Sequence, residues 1–193
     1  VGFGGSCFQK DILNLVYICK SLGLDEAANY WEQVIIMNNH QRSRFAQQIV
    51  TSLYGTVAGK KIGFLGWAFK KDTNDTRESA AIYIADKLIE EQAHIQVYDP
   101  KVTAVQMHSD LNGLNSRTES ENDKFLDIHN DPYAALEGTH ALAVITEWDE
   151  FKTYDWQKIY DSMLKPAFIF DGRNILDQAM LETIGFTYKA IGR

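Results

Sequence analysis

From residue 60 onward, short apolar runs alternate with segments whose apolar residues recur at helical spacing. The first run, Ile62-Gly63-Phe64-Leu65-Gly66, is typical of a strand buried on both faces of a parallel sheet. Because helices and strands alternate, we predict an α/β fold with a Rossmann-like, mostly parallel sheet and right-handed crossovers. The predicted strands are 62–66, 95–98, 125–128, 140–145, 168–170 and 188–191, and the predicted helices are 77–92, 132–137, 156–164 and 178–184. A polar stretch at 108–124 is predicted to be a surface insertion.

Two helices are predicted ahead of the sheet. Residues 11–22 carry apolar side chains at intervals of three and four, so Cys19 within them is predicted to be a core residue. Asp25 stands where it could cap a second helix that reaches about residue 53. The polar middle of that helix, at 38–42, is predicted to be exposed. We expect a helix of this length to connect domains or to form a dimer surface.

Composition and charge narrow the class of protein. The 193 residues carry a formal net charge of −7, which argues against a general nucleic-acid or membrane-surface role. The two cysteines have no disulfide-framework spacing, which favours a reducing compartment, and no apolar run approaches the ~20 residues of a membrane span. We therefore predict a cytoplasmic protein that binds neither nucleic acid nor membranes and holds no metal. The sequence opens inside a motif and without Met, so we expect it to be a piece of a longer protein.

The opening segment, residues 1–11, combines three glycines with a cysteine. We predict that Ser6 caps a helix and that Cys7 lies in its first turn, where unpaired backbone N–H groups and the helix dipole stabilise a thiolate. Lys10 and Asp11 follow at the i+3 and i+4 positions and therefore return to the same face. The segment is a candidate nucleophile site, and the alternative is that Cys7 is a small packing residue after a linker.

Loops that follow the predicted strands form the second candidate site, because ligands bind beyond the carboxyl ends of parallel strands. The loop at 66–79 lacks the Gly-x-Gly-x-x-Gly spacing of a dinucleotide site. It offers an aromatic ring and cations instead. A helix follows, and Asp75 or Thr76 is predicted to cap it. Arg173 follows another strand and could bind a carboxylate or phosphate. Asp99 is predicted to cap a strand, and 146–148 is assigned a structural role. The alternative is that the lysines and arginines are solvated surface charges.

These motifs resemble those of one enzyme family. The active-site cysteine signature of the nucleotide-sugar dehydrogenases, in particular the UDP-glucose dehydrogenases, is similar to Gly2-Phe3-Gly4-Gly5-Ser6-Cys7-Phe8 followed by Lys10-Asp11. Further motifs of this family are similar to Ala68-Phe69-Lys70 and Asp75-Thr76-Arg77-Glu78-Ser79, and the Lys71-Asp72-Thr73 variant looks more like the animal enzymes. The resemblance implies that residues 1–58 are a helical central or dimerisation segment carrying the catalytic cysteine. Residues 59–193 would be the UDP-sugar-binding Rossmann-like domain, with 55–59 as a hinge.

The resemblance also implies a reaction and roles for individual residues. The sugar C6 alcohol of UDP-glucose is oxidised to the acid of UDP-glucuronate, and two hydrides pass in turn to two NAD molecules. The Cys7 thiolate captures the aldehyde as a thiohemiacetal, the next oxidation gives a thioester, and Asp11 orients or activates the water that hydrolyses it. The implied NAD-binding residues are Cys7, Phe8, Gln9, Lys10 and Arg77, and the implied substrate-binding residues are Val1, Gly2, Phe3, Gly4, Phe69, Lys70 and Arg173.

Partners follow from the same resemblance. The family's N-terminal NAD-binding domain precedes the cysteine motif and is missing from this sequence, so we expect the chain alone to bind UDP-sugar weakly and to be inactive. Homo-oligomers built from dimers are expected, as hexamers in animal relatives. Two alternatives stay open. One is a dehydrogenase of GDP-mannose or a UDP-aminosugar, and the other is a non-catalytic nucleotide-sugar-binding module.

Overall fold

The computed structural model describes residues 1–192, in which helices and strands alternate as the sequence predicts. The helices are α1 (Ser6–Ser21), α2 (Asp25–Ser52), α3 (Ala80–Glu90), α4 (Ala104–Asn112), α5 (Glu119–Asn122), α6 (Pro132–Leu136), a 3-10 helix (Asp149–Thr153), α7 (Trp156–Ser162) and α8 (Gln178–Ile184). The strands are β1 (Lys61–Leu65), β2 (His94–Tyr98), β3 (Leu126–Ile128), β4 (Ala141–Val144), β5 (Phe168–Asp171) and β6 (Thr187–Ala190).

All six strands in residues 1–192 form one parallel sheet, in the order β3-β2-β1-β4-β5-β6. The strand order reverses between β1 and β4, and in such sheets ligands bind beyond the carboxyl ends of the strands at this switch point. Leu65 pairs with Tyr98 on one side and with Val144 on the other, so three strands end at the same edge. The predicted Rossmann-like, mostly parallel sheet is confirmed, with every strand pair parallel.

The main core packs around this sheet and includes part of α2. Phe64 of β1 and Ile84 of α3 are fully buried in it, and Ile49 from the C-terminal half of α2 joins the same cluster. A second, smaller cluster joins α1 to α2 and confirms Cys19 as a core residue; it consists of Ile12, Val16, Cys19 and Ala28. The boundary between residues 58 and 59 stays a prediction, as does the hinge at 55–59.

The caps predicted for the first two helices are wrong. Helix α1 begins at Ser6, with Gly5 at the N-cap in the left-handed region (φ 85°) and no side-chain cap hydrogen bond. Asp25 is likewise the first residue of α2 rather than its cap, a position taken by Leu24. Because both side chains lie inside the helix, their oxygens no longer point back at the free N–H groups. The Asp25 carboxylate still interacts favourably with the positive end of the α2 helix dipole.

Helix α3 starts later than predicted and is capped by Ser79, whose hydroxyl accepts a hydrogen bond from the Ala81 N–H at 3.3 Å. Asp75 Oδ1 accepts a hydrogen bond from the Arg77 N–H at 3.0 Å, but this turn lies ahead of the helix, which begins at Ala80. The backbone then turns through a left-handed residue, Glu78 at φ 56°, before the helix begins. The predicted caps Asp75 and Thr76 are therefore wrong.

The polar middle of α2, predicted to be exposed, is exposed at Asn39 and His40 but buried at Asn38 and Arg42. Asn38 and Arg42 are 4% and 2% exposed. With Phe45 and Ile49 they occupy positions spaced by four, three and four residues, which is one face of a helix. Because that face packs on the opening segment and the sheet, its polar members are buried together with its apolar ones.

The stretch at 108–124 is structured rather than a plain insertion. It contains the end of α4 and all of α5; Met107 and Leu111 of α4 are buried, and so is the polar Asn122 of α5. The low apolar content of residues 108–124 explains why the periodicity did not reveal helices there. Within residues 1–192, no helix has both the length and the hydropathy needed to cross a membrane.

Candidate active site

Three loops from the carboxyl ends of β1, β4 and β5 meet the opening segment at one edge of the sheet. Gly66 (φ 98°) allows the first two loops to touch, because a Cβ there would lie 2.3 Å from Cβ of Thr146. The Thr146 hydroxyl donates to the Ala68 carbonyl at 2.6 Å. Gly172 lies so close to Val1 that a Cβ there would lie 2.5 Å from Val1 Cγ1. The opening segment is thus held against the β5 loop.

The carboxylate of Asp99, which follows β2, holds the loop after β1 in place. Its Oδ2 accepts hydrogen bonds from the N–H groups of Trp67 (2.7 Å) and Ala68 (3.0 Å) and from Nε1 of Trp148 (3.2 Å). Its Oδ1 accepts from the backbone N–H groups of residues 101 and 102. One buried carboxylate therefore ties the ends of β2 and β4 to the loop that presents Phe69 and Lys70. The predicted strand-capping role of Asp99 and the structural role of 146–148 agree with these contacts.

Cys7 is exposed near the N-terminus of α1, and its loop lies directly on Phe69. The Gly5 N–H donates to the Arg77 carbonyl at 2.9 Å, and a Cβ on Gly5 would lie 2.9 Å from the Phe69 ring. Glycine is required at this position by both its positive φ and the approach of the ring. The structure thus brings the two candidate sites of the sequence together into one.

The predicted cofactor residues on α1 surround the cysteine without binding it. Phe8 packs edge-to-face on Phe3, with 4.7 Å between ring centroids. Gln9 has a buried Oε1 without a hydrogen-bond partner. Lys10 and Asp11 are exposed on the following turn, and no hydrogen bond joins either of them to Cys7 in the described part of the chain. Their side chains are therefore free to meet a ligand.

Arg77 supplies a cation beside the cysteine. Its Nε and Nη2 bind the carboxylate of Asp75 at 3.0 and 2.7 Å, and its side chain is 68% exposed. The hydrogen bond and the charge of Asp75 raise the pKa of Arg77, and Cys7 contributes a smaller electrostatic effect of the same sign. The hydrogen bond from the Gly5 N–H to the Arg77 carbonyl places Arg77 against the loop that carries Cys7, which no spacing in the sequence indicated.

Arg173 is held rigidly at the end of β5. Its Nε donates to the Ile145 carbonyl at 2.6 Å and its Nη2 to the Phe69 carbonyl at 3.2 Å, while Glu147 Oε2 lies 3.2 Å from Nε. Burial lowers the pKa of Arg173, and the charge of Glu147 opposes that shift. The turn that presents Arg173 is fixed by Asp171, which accepts hydrogen bonds from three backbone N–H groups and from the Tyr188 hydroxyl. A preorganised cation thus faces the Phe69 loop.

The remaining predicted substrate residues line the same edge. Lys70 Nζ lies 5.4 Å from the centre of the Phe69 ring. A Cβ on Gly2 would lie 2.5 Å from Asn38 Oδ1, and one on Gly4 would lie 2.7 Å from the Glu78 carbonyl oxygen. The opening segment is therefore confined on both sides by side chains and backbone from distant parts of the chain.

Sequence reasoning missed four residues that hold this segment. Asn38 accepts a hydrogen bond from the Phe3 N–H at 2.8 Å and donates to the Phe3 carbonyl at 3.0 Å. Arg42 also binds the Phe3 carbonyl, and Glu78 and Tyr83 bind or stack on Arg42. The helical spacing of Asn38 and Arg42 with the apolar face of α2 was the signal that could have found them. Among residues 1–192 no group of three or more potential metal ligands is assembled.

Comparisons with known proteins agree with this geometry. Residues 63–178 match the model of the UDP-glucose/GDP-mannose dehydrogenase family, UDP binding domain, and residues 1–40 match the central domain of the same family. The chain is 54% identical over 195 aligned residues to UDP-glucose 6-dehydrogenase of Mus musculus, and 56% identical to that of Drosophila melanogaster. The alignments cover all of this chain but 40% and 41% of those relatives. The chain thus spans about two fifths of the length of the relatives it matches.

Solved structures show the same likeness. A UDP-glucose dehydrogenase from Pyrobaculum islandicum superposes with a TM-score of 0.68 at 27% identity, covering 96% of this chain and 38% of that one. A UDP-D-ManNAc dehydrogenase from Pyrococcus horikoshii superposes with a TM-score of 0.69 at 26% identity, covering 100% and 39%. A third structure, an NDP-N-acetyl-D-galactosaminuronic acid dehydrogenase from Methanosarcina mazei, has a TM-score of 0.75 at 23% identity over 100% and 38%, and supports the fold alone.

Proposed function

The chain belongs to the UDP-glucose/GDP-mannose dehydrogenase family, and from that premise we propose that it is part of an NAD-dependent UDP-glucose 6-dehydrogenase. The reaction oxidises UDP-glucose to UDP-glucuronate. The observation that carries the proposal is the contact of the cysteine loop with the Phe69 loop, where the Gly5 N–H binds the Arg77 carbonyl. An exposed thiol, an aromatic ring and two arginines therefore lie at one sheet edge.

The substrate-binding part of the proposal assigns the nucleotide and sugar to separate elements. Phe69 and Lys70 contact the UDP-sugar, with the lysine as a cation for phosphate. Arg173 contributes a guanidinium that two carbonyl contacts already orient, so little freedom is lost when ligand binds. The opening residues run along the sugar; they are Val1, Gly2, Phe3 and Gly4.

Cys7 is the proposed nucleophile. Its thiolate adds to the C6 aldehyde and forms a thiohemiacetal, whose oxidation leaves a thioester on the sulfur. Water then attacks the thioester carbonyl, the C–S bond breaks, and the acid leaves while the thiol is regenerated. Asp11, one turn later on α1, orients or activates this water. Covalent capture keeps the aldehyde in the site between the two oxidations.

NAD is the proposed cofactor: each bound NAD would accept one hydride, so two NAD molecules in turn would take up the two hydrides removed from each substrate. The residues that would hold it are Cys7, Phe8, Gln9, Lys10 and Arg77. The unpartnered, buried Oε1 of Gln9 and the exposed guanidinium of Arg77 beside the thiol fit a polar, anionic cofactor. Residues 1–192 contain no Gly-x-Gly-x-x-Gly segment between a strand and a helix, so a separate NAD-binding domain is proposed to face this edge.

The proposed whole protein is a cytoplasmic homo-oligomer built from dimers. Large apolar side chains exposed on the α1–α2 pair support burial against another copy; they are Leu13, Tyr17, Ile18, Leu22, Leu24, Tyr30, Ile36 and Met37. Residues 1–58 would then form the dimerisation segment. Because the proposed NAD-binding domain lies outside the 193 residues, we expect this chain alone to bind UDP-sugar weakly and to release no NADH.

Selective alkylation tests the proposal. Cys7 is exposed and Cys19 is buried, so iodoacetamide should modify Cys7 far faster, and UDP-glucose should protect it. Slow, equal labelling of both cysteines would favour a non-catalytic nucleotide-sugar-binding module. NADH formation by the full-length protein with UDP-glucose, GDP-mannose and UDP-aminosugars then identifies the substrate. Cys7→Ser should abolish NADH formation, and Cys19→Ser is the matched control.

A further inference from the structure

A buried cation, Arg42, joins the two loops of the site. It lies in the middle of α2, it is 2% exposed, and it belongs to none of the motifs considered above for catalysis or binding. We propose that Arg42 is a positioning residue that holds the cysteine loop in register with the segment that presents Arg77. This inference rests on the proposed function, because it concerns the same site.

One nitrogen of Arg42 binds both loops at once. Nη2 donates to the Phe3 carbonyl at 3.0 Å and to the Glu78 carbonyl at 2.8 Å. Phe3 precedes Cys7 by four residues, and Glu78 follows Arg77 directly. The two carbonyls are therefore fixed relative to each other through a single donor group. The hydrogen bond from the Gly5 N–H to the Arg77 carbonyl is a second joint between the same loops.

The guanidinium itself is fixed from several directions. Nη1 lies 3.5 Å from Glu78 Oε2 and 3.4 Å from Asn39 Oδ1, and the guanidinium carbon lies 4.2 Å from the centre of the Tyr83 ring. The Tyr83 hydroxyl donates to Glu78 Oε2 at 2.8 Å, and burial together with that hydrogen bond raises the pKa of Tyr83 to about 12. A planar cation that stacks and binds at two edges uses chemistry that lysine lacks.

The backbone conformation at Glu78 indicates that Arg42 does more than fill space in the core. Glu78 adopts a left-handed φ of 56°, a conformation that L-residues other than Asn and Asp rarely adopt. Arg42 binds both the carbonyl and the carboxylate of this residue, so it stabilises the turn that immediately follows Arg77. Without Arg42, the turn and the glycine-rich loop lose their shared donor, and the position of Arg77 relative to Cys7 is held less firmly, by the hydrogen bond from the Gly5 N–H to the Arg77 carbonyl.

The test is a double-mutant cycle in the full-length protein, read by the rate of Cys7 alkylation with iodoacetamide. In the wild-type background, Arg77→Met should slow Cys7 alkylation about twofold or more, because it removes a cation carried by the loop that is hydrogen-bonded to the cysteine loop. In the Arg42→Ala background, Arg77→Met should change the alkylation rate less than about 1.5-fold. Guanidinium added to the Arg42→Ala proteins should restore the difference in rate between Arg77 and Met at position 77. Arg44→Ala, an exposed arginine on the same helix, is the matched control and should leave the Arg77 effect intact.

An equal effect of Arg77→Met in the presence and absence of Arg42 would overturn the proposal, since a merely structural Arg42 does not change this coupling. If Arg42→Ala fails to fold, Arg42→Lys serves in the same cycle. Lysine keeps the charge but not the planar group, so the Arg77 effect should fall to less than half, and a full effect would overturn the proposal. NADH formation by the wild-type protein is measured in parallel. Its absence would refute the proposed function, whereas the alkylation cycle alone decides the role of Arg42.

Discussion

Replacement of Asp99 by asparagine is expected to destabilise the chain far more than its small change in shape suggests. Asp99 is 7% exposed and accepts five hydrogen bonds, three on Oδ2 and two on Oδ1. An asparagine can keep the three by placing its carbonyl oxygen at the Oδ2 position. Its NH2 group then faces the two N–H donors of Lys101 and Val102, which lose their acceptor.

The magnitude follows from those two lost bonds. A hydrogen bond to a charged group contributes about 1.5–3 kcal/mol, and a buried donor left without a partner costs a similar amount. Two such losses give a decrease of about 3–6 kcal/mol in the free energy of unfolding for Asp99→Asn. The loop that bears Phe69 should loosen with it, because its first two N–H groups would then bind a neutral amide oxygen in place of the carboxylate.

Urea unfolding followed by tryptophan fluorescence measures this change, since Trp67 and Trp148 both donate to Asp99. Asp127→Asn is the matched control: it makes the same charge change on an exposed strand residue and should cost less than about 0.5 kcal/mol. Hydrogen exchange of the Trp67 and Ala68 amides should accelerate in Asp99→Asn alone. A difference of less than 1 kcal/mol between the two variants would refute the hydrogen-bond reasoning.

Three further predictions concern single contacts. Gly5→Ala should lower stability by about 1–2 kcal/mol in thermal melts and slow UDP-glucose oxidation by the full-length protein. The reason is that Gly5 has a φ of 85° and that a Cβ there would lie 2.9 Å from the Phe69 ring. Unchanged melting and activity would contradict this. Ser79→Ala should cost about 1 kcal/mol because α3 loses its N-cap, whereas Ser109→Ala on α4 should not. Burial lowers the pKa of His140 from 6.5, so the unfolded chain takes up the proton first. Stability should therefore be full above about pH 6.5 and fall as the pH drops through the lowered pKa, and His140→Gln should flatten this slope.

Sequence patterns identify the strands well because the sheet buries both of its faces. The apolar runs that become β1 and β4 are buried throughout, and helix α8 occupies the predicted residues 178–184. Short runs that are apolar at every position are typical of strands buried on both faces. The caps were harder, since Ser6 and Ser79 are both serines before helical segments and their backbone angles, not their identity, decide which of them caps.

The site was predictable in its parts and not in its assembly. The cysteine loop and the Phe69 loop each have a recognisable sequence, but their contact through Gly5 and Arg77 depends on how α2 packs against the sheet. Arg42 shows the limit most clearly. A run of polar residues in a helix is usually solvated, and only the tertiary contact with Phe3 and Glu78 makes this position buried.

The packing of α2 also has a consequence for how the chain can be divided. Phe45 and Ile49 belong to the core of the sheet, and Val1 fills the space left by Gly172, so the first 53 residues and the rest share one interior. A Cβ on Gly55 or Gly59 would meet nothing within 4 Å, which marks this connection as open to a break. Two separately expressed pieces ending and starting there should therefore reassociate without a covalent link, which would make the protein a natural candidate for split-fragment complementation.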